Sequence, residues 1–336
     1  MEAGALTAGE QTTGGSRVRD YAQDHPARIA LGILALLVVL MIASKGLNRV
    51  ADVGLSGLST GAIYALGAVG LTLVYGILKL VNFAHGDFLT FGAYIAFLVN
   101  VTWGAPFAVG IVAAMVAVAA LGLVTEKTMW APMRRKHAGL LQLVLMSIGL
   151  AFLIRSVIQF FWGTDVKALD VNNTATVNFL GLSIGRTQLV TIGIGIAVIT
   201  VVGLMLRFTM LGKRMRALSD DLDLAETAGI DTSRIILYTW LFAGALAGLA
   251  GVLAAANLNL RPELGFALLL PIFGAVILGG IGDAFGALAG GMVLGLVTEW
   301  STMFIEPGLK TAVAFVVLII VLIVRPQGIF GRAKAV

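Results

Sequence analysis

Residues 211–234 read LGKRMRALSDDLDLAETAGIDTSR, a charge-rich island between two apolar runs, 187–207 and 234–256, each long enough to cross a bilayer. Within it Met215, Leu218, Leu222, Ala225 and Gly229 recur at steps of three and four, opposite Asp220, Asp221, Asp223 and Glu226. That spacing predicts a short helix with a narrow apolar face. Gly229 is its natural stop, because a glycine accepts the left-handed backbone that ends many helices. A chain that keeps one compact amphipathic segment between spans is built to touch something outside the lipid.

The rest of the sequence supports a membrane setting. Hydrophobic residues make up 59% and charged residues 12%, where soluble domains carry roughly 25% charged residues. Mean hydropathy is +0.98. Apolar runs near twenty residues point to helices, since the strands of a barrel would alternate over about ten. The 42 glycines suit close helix packing in lipid. The net charge of +5 lies mostly in short loops beside the apolar runs, which fits positive-inside topology and argues against nucleic acid. With no cysteine, disulfides and thiolate metal sites are excluded.

The fold class expected is therefore an all-α polytopic membrane protein. Its spans fall at 28–44, 53–78, 86–102, 107–126, 140–161, 187–207, 234–256, 266–281, 284–300 and 310–324. Ten is the number expected, within a range of eight to ten, because 266–281 contains Pro271 and is short enough to be re-entrant. Residues 1–27 read as a polar, flexible cytoplasmic tail, preferred over a signal peptide because Ser44-Lys45-Gly46 is a weak cleavage site. Residues 28–325 are expected to form the transmembrane domain and 326–336 a cytoplasmic tail. Cationic groups at Arg17, Arg19 and Arg28, at Arg134–Lys136, at Lys213–Arg216 and at Arg325–Lys334 share the cytoplasmic face if the span count is even. Loop 163–186, with Asn172, Asn173 and Thr174, then faces outward, and both termini are cytoplasmic.

Several chemistries drop out. The sequence has no G-x-x-x-x-G-K-[ST], Gly212-Lys213 being followed by Arg214, so no ATP site is expected on this chain. Gly193-Ile194-Gly195 lies inside an apolar run with no strand before it. His25, His85 and His137 are far apart and lack zinc-enzyme context, so no metal site and no catalytic residue is expected. Arg155, within the fifth span, is expected to snorkel to the outer interface. Glu299 and Glu306 read as outer rim charges or as part of a docking surface. His85-Gly86-Asp87-Phe88 and Ile281-Gly282-Asp283-Ala284, two Gly-Asp turns opening spans, are a weak sign of an internal duplication.

Residues 57–94, GLSTGAIYALGAVGLTLVYGILKLVNFAHGDFLTFGAY, spread Tyr64, Tyr75, Asn82, His85 and Asp87 through or beside apolar sequence. Two readings stay open. In one, Asn82, His85 and Asp87 satisfy helix ends at the cytoplasmic interface. In the other, they form a broken-helix element on a substrate pathway together with Tyr64 and Tyr75.

Asn82–Asp87 followed by Gly92-Ala93-Tyr94 resembles the signature early segment of the permeases of branched-chain amino acid ABC importers. The run from Met215-Arg216-Ala217 to Ala225-Glu226-Thr227-Ala228-Gly229-Ile230 is similar to that family's cytoplasmic loop, and Arg325–Gly331 to its C-terminus. The resemblance covers roughly residues 50–331. It implies a permease in the inner membrane that works with a second, homologous or identical permease, two cytoplasmic ATP-binding subunits and an extracytoplasmic solute-binding protein. ATP and Mg would sit on the partner subunits, with no cofactor on this chain. It also implies that Met215, Leu218, Leu222, Ala225, Glu226 and Gly229 belong to a coupling helix seated on the ATPase. The loop departs from the E-A-A form of other importers, Glu226 being followed by Thr227-Ala228.

The function expected is import of branched-chain or related hydrophobic amino acids. An ABC permease for urea or short amides is the nearest alternative. An ion-coupled secondary transporter would place acids at span centres, where this chain has almost none. A channel or scaffold would have no use for the island.

Overall fold

The computed structural model describes residues 39–324 apart from 172–174 and 180, together with Gly328. The chain divides between Val50 and Ala51. In the first unit, residues 39–45 and 47–50 are helical. The expected tails and most of the span at 28–44 lie outside the described residues, as do Asn172, Asn173 and Thr174.

From Leu47 onward the helices are α1 (Leu47–Leu78), α2 (His85–Phe97), α3 (Phe107–Thr125), α4 (Leu140–Trp162), α5 (Arg186–Phe208), α6 (Met210–Asp220), α7 (Leu222–Thr227), α8 (Thr232–Leu258), α9 (Leu264–Gly279), α10 (Ala284–Ser301) and α11 (Lys310–Val324). The fold is all-α and polytopic, as the apolar runs predict. Among the described residues six helices, counting α3 as continuing to Arg135, are long and apolar enough to cross a membrane; α9 and α11 are shorter apolar helices. The helix α2 runs on through a π-turn at Leu98–Thr102, and α3 through another at Glu126–Trp130.

Polar caps set the starts of several helices. Asp231 Oδ1 accepts from Arg234 N at the start of α8, and Asp283 Oδ1 accepts from Phe285 N and Gly286 N at the start of α10. Asp87, by contrast, is the third residue of α2 and its carboxylate bonds elsewhere. The two Gly-Asp turns are thus built differently.

The centre of the fold is α8, whose residues Ala243, Gly244 and Leu246–Ala256 are all buried, packed against α2 and α3. Small residues make this possible. A Cβ at Gly251 would run into the carbonyl of Leu89, and one at Gly265 into the carbonyl of Gly86, so α2 is gripped from both sides by backbone approaching backbone. Thr90 Oγ1 accepts from Gly265 N at 2.9 Å and ties α9 to the same place. Near the end of α3, buried Glu126 accepts from Trp240 Nε1 at 2.7 Å and is paired with Arg134. Trp130 stacks on Trp240 with centroids 6.2 Å apart. Outward-facing apolar side chains such as Val112, Val116, Phe152 and Phe160 remain exposed, as a lipid-facing surface requires.

The 163–186 loop holds structure that the sequence reading left out. A two-stranded antiparallel hairpin, β1 (Thr176–Phe179) with β2 (Leu182–Gly185), pairs Thr176 with Gly185. Ser183 N donates to Asp52 Oδ1 at 2.9 Å, and Lys167 and Leu260 exchange backbone hydrogen bonds. Short strands of four residues with Gly181 at a positive φ leave too little alternation to detect beforehand.

Candidate functional site

The polar break is real. Between α1 and α2 the chain is non-helical from Lys79 to Ala84, and Lys79 itself takes a positive φ of 51°. Asn82 Oδ1 accepts from Ala84 N at 3.1 Å, which turns the chain into α2. Phe83 N donates to Ser147 Oγ on α4 at 3.2 Å. His85 Nε2 lies 2.9 Å from the carbonyl oxygen of Gly67. Asn82, His85 and Asp87 are all buried, Tyr64 is buried and Tyr75 half-buried.

Arg155 corrects the sequence reading. Instead of reaching the outer interface, it turns inward: Nε donates to Asp87 Oδ1 at 3.0 Å and Nη2 to Asp87 Oδ2 at 3.3 Å. Its guanidinium also lies 4.7 Å from the ring centroid of Phe266 and 5.7 Å from that of Phe152. A charge in an apolar span needs a partner, and the break supplies one. The pair joins α2 to α4 by a two-pronged bond whose acceptor is fully buried.

The island is an elbow rather than one helix. Thr209 Oγ1 caps α6 by accepting from Gly212 N, and Asp221, in an extended conformation, caps α7 by accepting from Leu224 N at 2.9 Å. The break at Asp221 rephases the apolar face. Met215, Leu218 and Ala225 are buried in the chain's own apolar cluster, Leu222 is half-buried, and Glu226 and Gly229 are exposed. Gly229 does end the segment, at a φ of +81°. Leu224, which the periodicity passes over, is 67% exposed at the tip, among exposed Asp220, Asp223 and Glu226. The signal was present in Ser219-Asp220-Asp221: a carboxylate three residues before Leu224 can cap a new helix.

The elbow touches the end of α1 directly. Lys79 Nζ donates to the carbonyls of Gly76 at 2.7 Å and of Ser219 at 3.0 Å. Contacts therefore run from α6 through the end of α1 to the break, and from the break through Asp87 and Ser147 to α4.

Beside the first half of α1 lies a cavity of about 340 Å³. Of the five expected pathway residues it is lined by Tyr64 alone; Tyr75, Asn82, His85 and Asp87 do not line it. Its polar wall includes Thr60, Arg261, Glu299 and Lys310, and its apolar wall Ile63 and Leu268. Glu299 Oε1 accepts from Thr60 Oγ1 at 2.8 Å and from Lys310 Nζ at 2.9 Å. Tyr64 and Gly76 are about 18 Å apart along the helix axis, so the cavity lies beside the first half of α1 and the elbow at its C-terminal end. This grouping brings together side chains from α1, α9, α10 and α11, a convergence that no spacing in the sequence records.

A membrane-spanning helical core, a capped elbow joined to the end of α1 and a polar cavity beside its first half are those of a polytopic membrane protein, and its relatives make the class a permease. Residues 54–322 match the family model for the branched-chain amino acid transport system / permease component. The chain is 32% identical over 294 residues to the high-affinity branched-chain amino acid transport system permease protein LivH of Escherichia coli strain K12, covering 83% of this chain and 94% of that one. It is 31% identical to the corresponding permease BraD of Pseudomonas aeruginosa, over 83% and 95% of the two chains. The probable LivH of Methanocaldococcus jannaschii is 27% identical over 79% and 87%. The chain belongs to the branched-chain amino acid transport permease family.

Proposed function

We propose that this chain is the membrane-spanning permease subunit of an ATP-binding-cassette importer for branched-chain or related hydrophobic amino acids, seated in the inner membrane. The observation that carries the reading is the family match over residues 54–322, which includes the break, the elbow and the cavity. Relatives over the same region are named as permeases of branched-chain amino acid transport. The chain catalyses no covalent step, and ATP is hydrolysed on two cytoplasmic partners. A second permease and a solute-binding protein complete the assembly.

In this reading α6–α7 is the coupling element. Leu224 and the exposed carboxylates around it meet the ATPase, while Met215, Leu218 and Ala225 anchor the elbow to its own chain. An elbow that is rigidly anchored on one side and docked on the other transmits a push without slack. The push arrives at the end of α1 through Lys79, and the break gives α1 and α2 a place to pivot. Tyr64 faces the substrate path, and Asn82, His85 and Asp87 serve the pivot that moves it. Positive-inside topology favours a cytoplasmic elbow and cytoplasmic termini, with the cavity on the outer side of the elbow.

The test is the purified assembly of this chain with the candidate partner ATPase, permease and binding protein, reconstituted in nanodiscs. Binding protein loaded with leucine, isoleucine or valine is expected to stimulate ATP hydrolysis. Stimulation by a urea-loaded binding protein, with none from these amino acids, would reject the substrate and keep the class. Absence of any stable association with an ATPase would reject the class.

A further inference from the structure

The cavity beside the first half of α1 carries charges that a plain apolar route would not need. Glu299 and Lys310 are half-buried there, with side chains 14% and 29% exposed, and they face each other across a 2.9 Å bond. Both hydrogen bonds to Glu299 fall on Oε1, from Thr60 and Lys310, so Oε2 takes part in neither. Lys310 has three donors, of which this bond uses one. Arg261, exposed on the connection between α8 and α9, supplies a second cation to the rim. The same wall includes Ile63 and Leu268, both buried, and Pro271. A volume of about 340 Å³ is at the lower end of the roughly 300–1,000 Å³ of small-molecule sites.

Ligand chemistry follows from this arrangement. A negative and a positive group side by side, with apolar side chains lining the same cavity, are complementary to a small zwitterion with an aliphatic side chain. A partly enclosed setting strengthens such pairings relative to open water. Hydroxyl and amide groups already on the wall, Ser59 and Asn257 among them, add hydrogen-bonding capacity. The Ser59 hydroxyl is buried without a protein partner.

We infer that this cavity is a binding site for the transported α-amino acid within the permease chain itself, with Glu299 receiving the ammonium group, Lys310 and Arg261 the carboxylate, and Ile63, Leu268 and Pro271 the side chain. The assignment rests on the functional reading above and adds a site to it. Selectivity then does not reside in the binding protein alone: the permease repeats the check for a free ammonium and a free carboxylate. Occupancy is weak by design of the wall, because Glu299 and Lys310 already neutralise each other and the ligand must share them.

The test uses the assembled transporter in nanodiscs without its binding protein, and reads weak binding by saturation-transfer NMR. The probes are leucine, 4-methylpentanoate, which lacks the ammonium, and 3-methylbutylamine, which lacks the carboxylate. Leucine is expected to show saturation transfer, with both analogues roughly tenfold weaker or more. Glu299→Gln and Ala267→Trp are each expected to abolish the leucine signal in complexes that still co-purify at wild-type stoichiometry. Ala267 is an exposed residue of the cavity wall, so the tryptophan fills the space while both members of the ion pair are kept. A leucine signal unchanged in both variants would overturn the assignment. So would equal binding of the three probes, or no leucine signal from a wild-type complex that takes up leucine once binding protein is added. A wild-type complex that takes up no branched-chain amino acid under any condition would overturn the functional reading, and the assignment with it.

Discussion

Arg155 and Asp87 show how a residue can be read correctly as costly and wrongly as free. An arginine in Leu140–Trp162 needs compensation, and snorkelling is the compensation a single helix can offer. The structure provides another, a carboxylate 68 positions earlier in the chain that no local pattern connects to it. Asp87 was legible as a polar residue at a helix opening, but its partner was not. We predict that Arg155→Met strands that buried carboxylate and lowers stability by ~3 kcal/mol, whereas Asp87→Leu combined with Arg155→Met recovers most of the loss. Thermal unfolding of the purified protein checks this. Equal loss in the single and double variants would show that the pair is not the source. Asn82→Leu removes the oxygen that accepts from Ala84 N and is expected to cost about 1 kcal/mol. If the break is a pivot, transport per assembled complex falls as well, as measured by uptake normalised to co-purified ATPase.

At the scale of elements, helix positions were legible nearly to the residue, because long apolar runs bounded by charges leave few alternatives. What was not legible was phase. Met215, Leu218 and Ala225 were rightly seen as one apolar face, but the face turns inward and Asp221 interrupts the helix that carries it. An amphipathic period identifies a buried side without naming what buries it. Leu224→Asp and Leu218→Asp separate the two roles. Leu224→Asp, at an exposed position, is predicted to leave expression and folding intact and to weaken ATPase association by ~2 kcal/mol, as removal of a central docking side chain does. Leu218→Asp places a charge in the chain's own core and is predicted to destabilise the permease itself. Pull-down with the ATPase, alongside thermal stability, distinguishes them. Full association in Leu224→Asp would remove α7 from the docking surface.

For the whole molecule, the packing of α2 between α8 and α9 rests on backbone contact. Gly251→Ala forces α8 away from Leu89 and is predicted to cost ~2 kcal/mol, while Gly149→Ala on α4, with open space around it, is predicted to be neutral or slightly stabilising; unfolding curves of the two variants check this. The contrast was hidden in the sequence, where both are glycines in apolar helices. The basic loops, legible in the sequence, predict the topology, while the hairpin at Thr176–Gly185 was not legible. Cysteines replacing exposed Thr164 and Asp223 in this cysteine-free chain are predicted to react with an impermeant reagent from opposite sides. The account as a whole requires that chemical energy spent on the cytoplasmic side move an amino acid through this chain. Uptake of radiolabelled leucine into sealed vesicles containing the complete complex measures that directly. The account predicts accumulation only when ATP is supplied on the ATPase side and loaded binding protein on the other. Accumulation without ATP, or none with every component present, would contradict it.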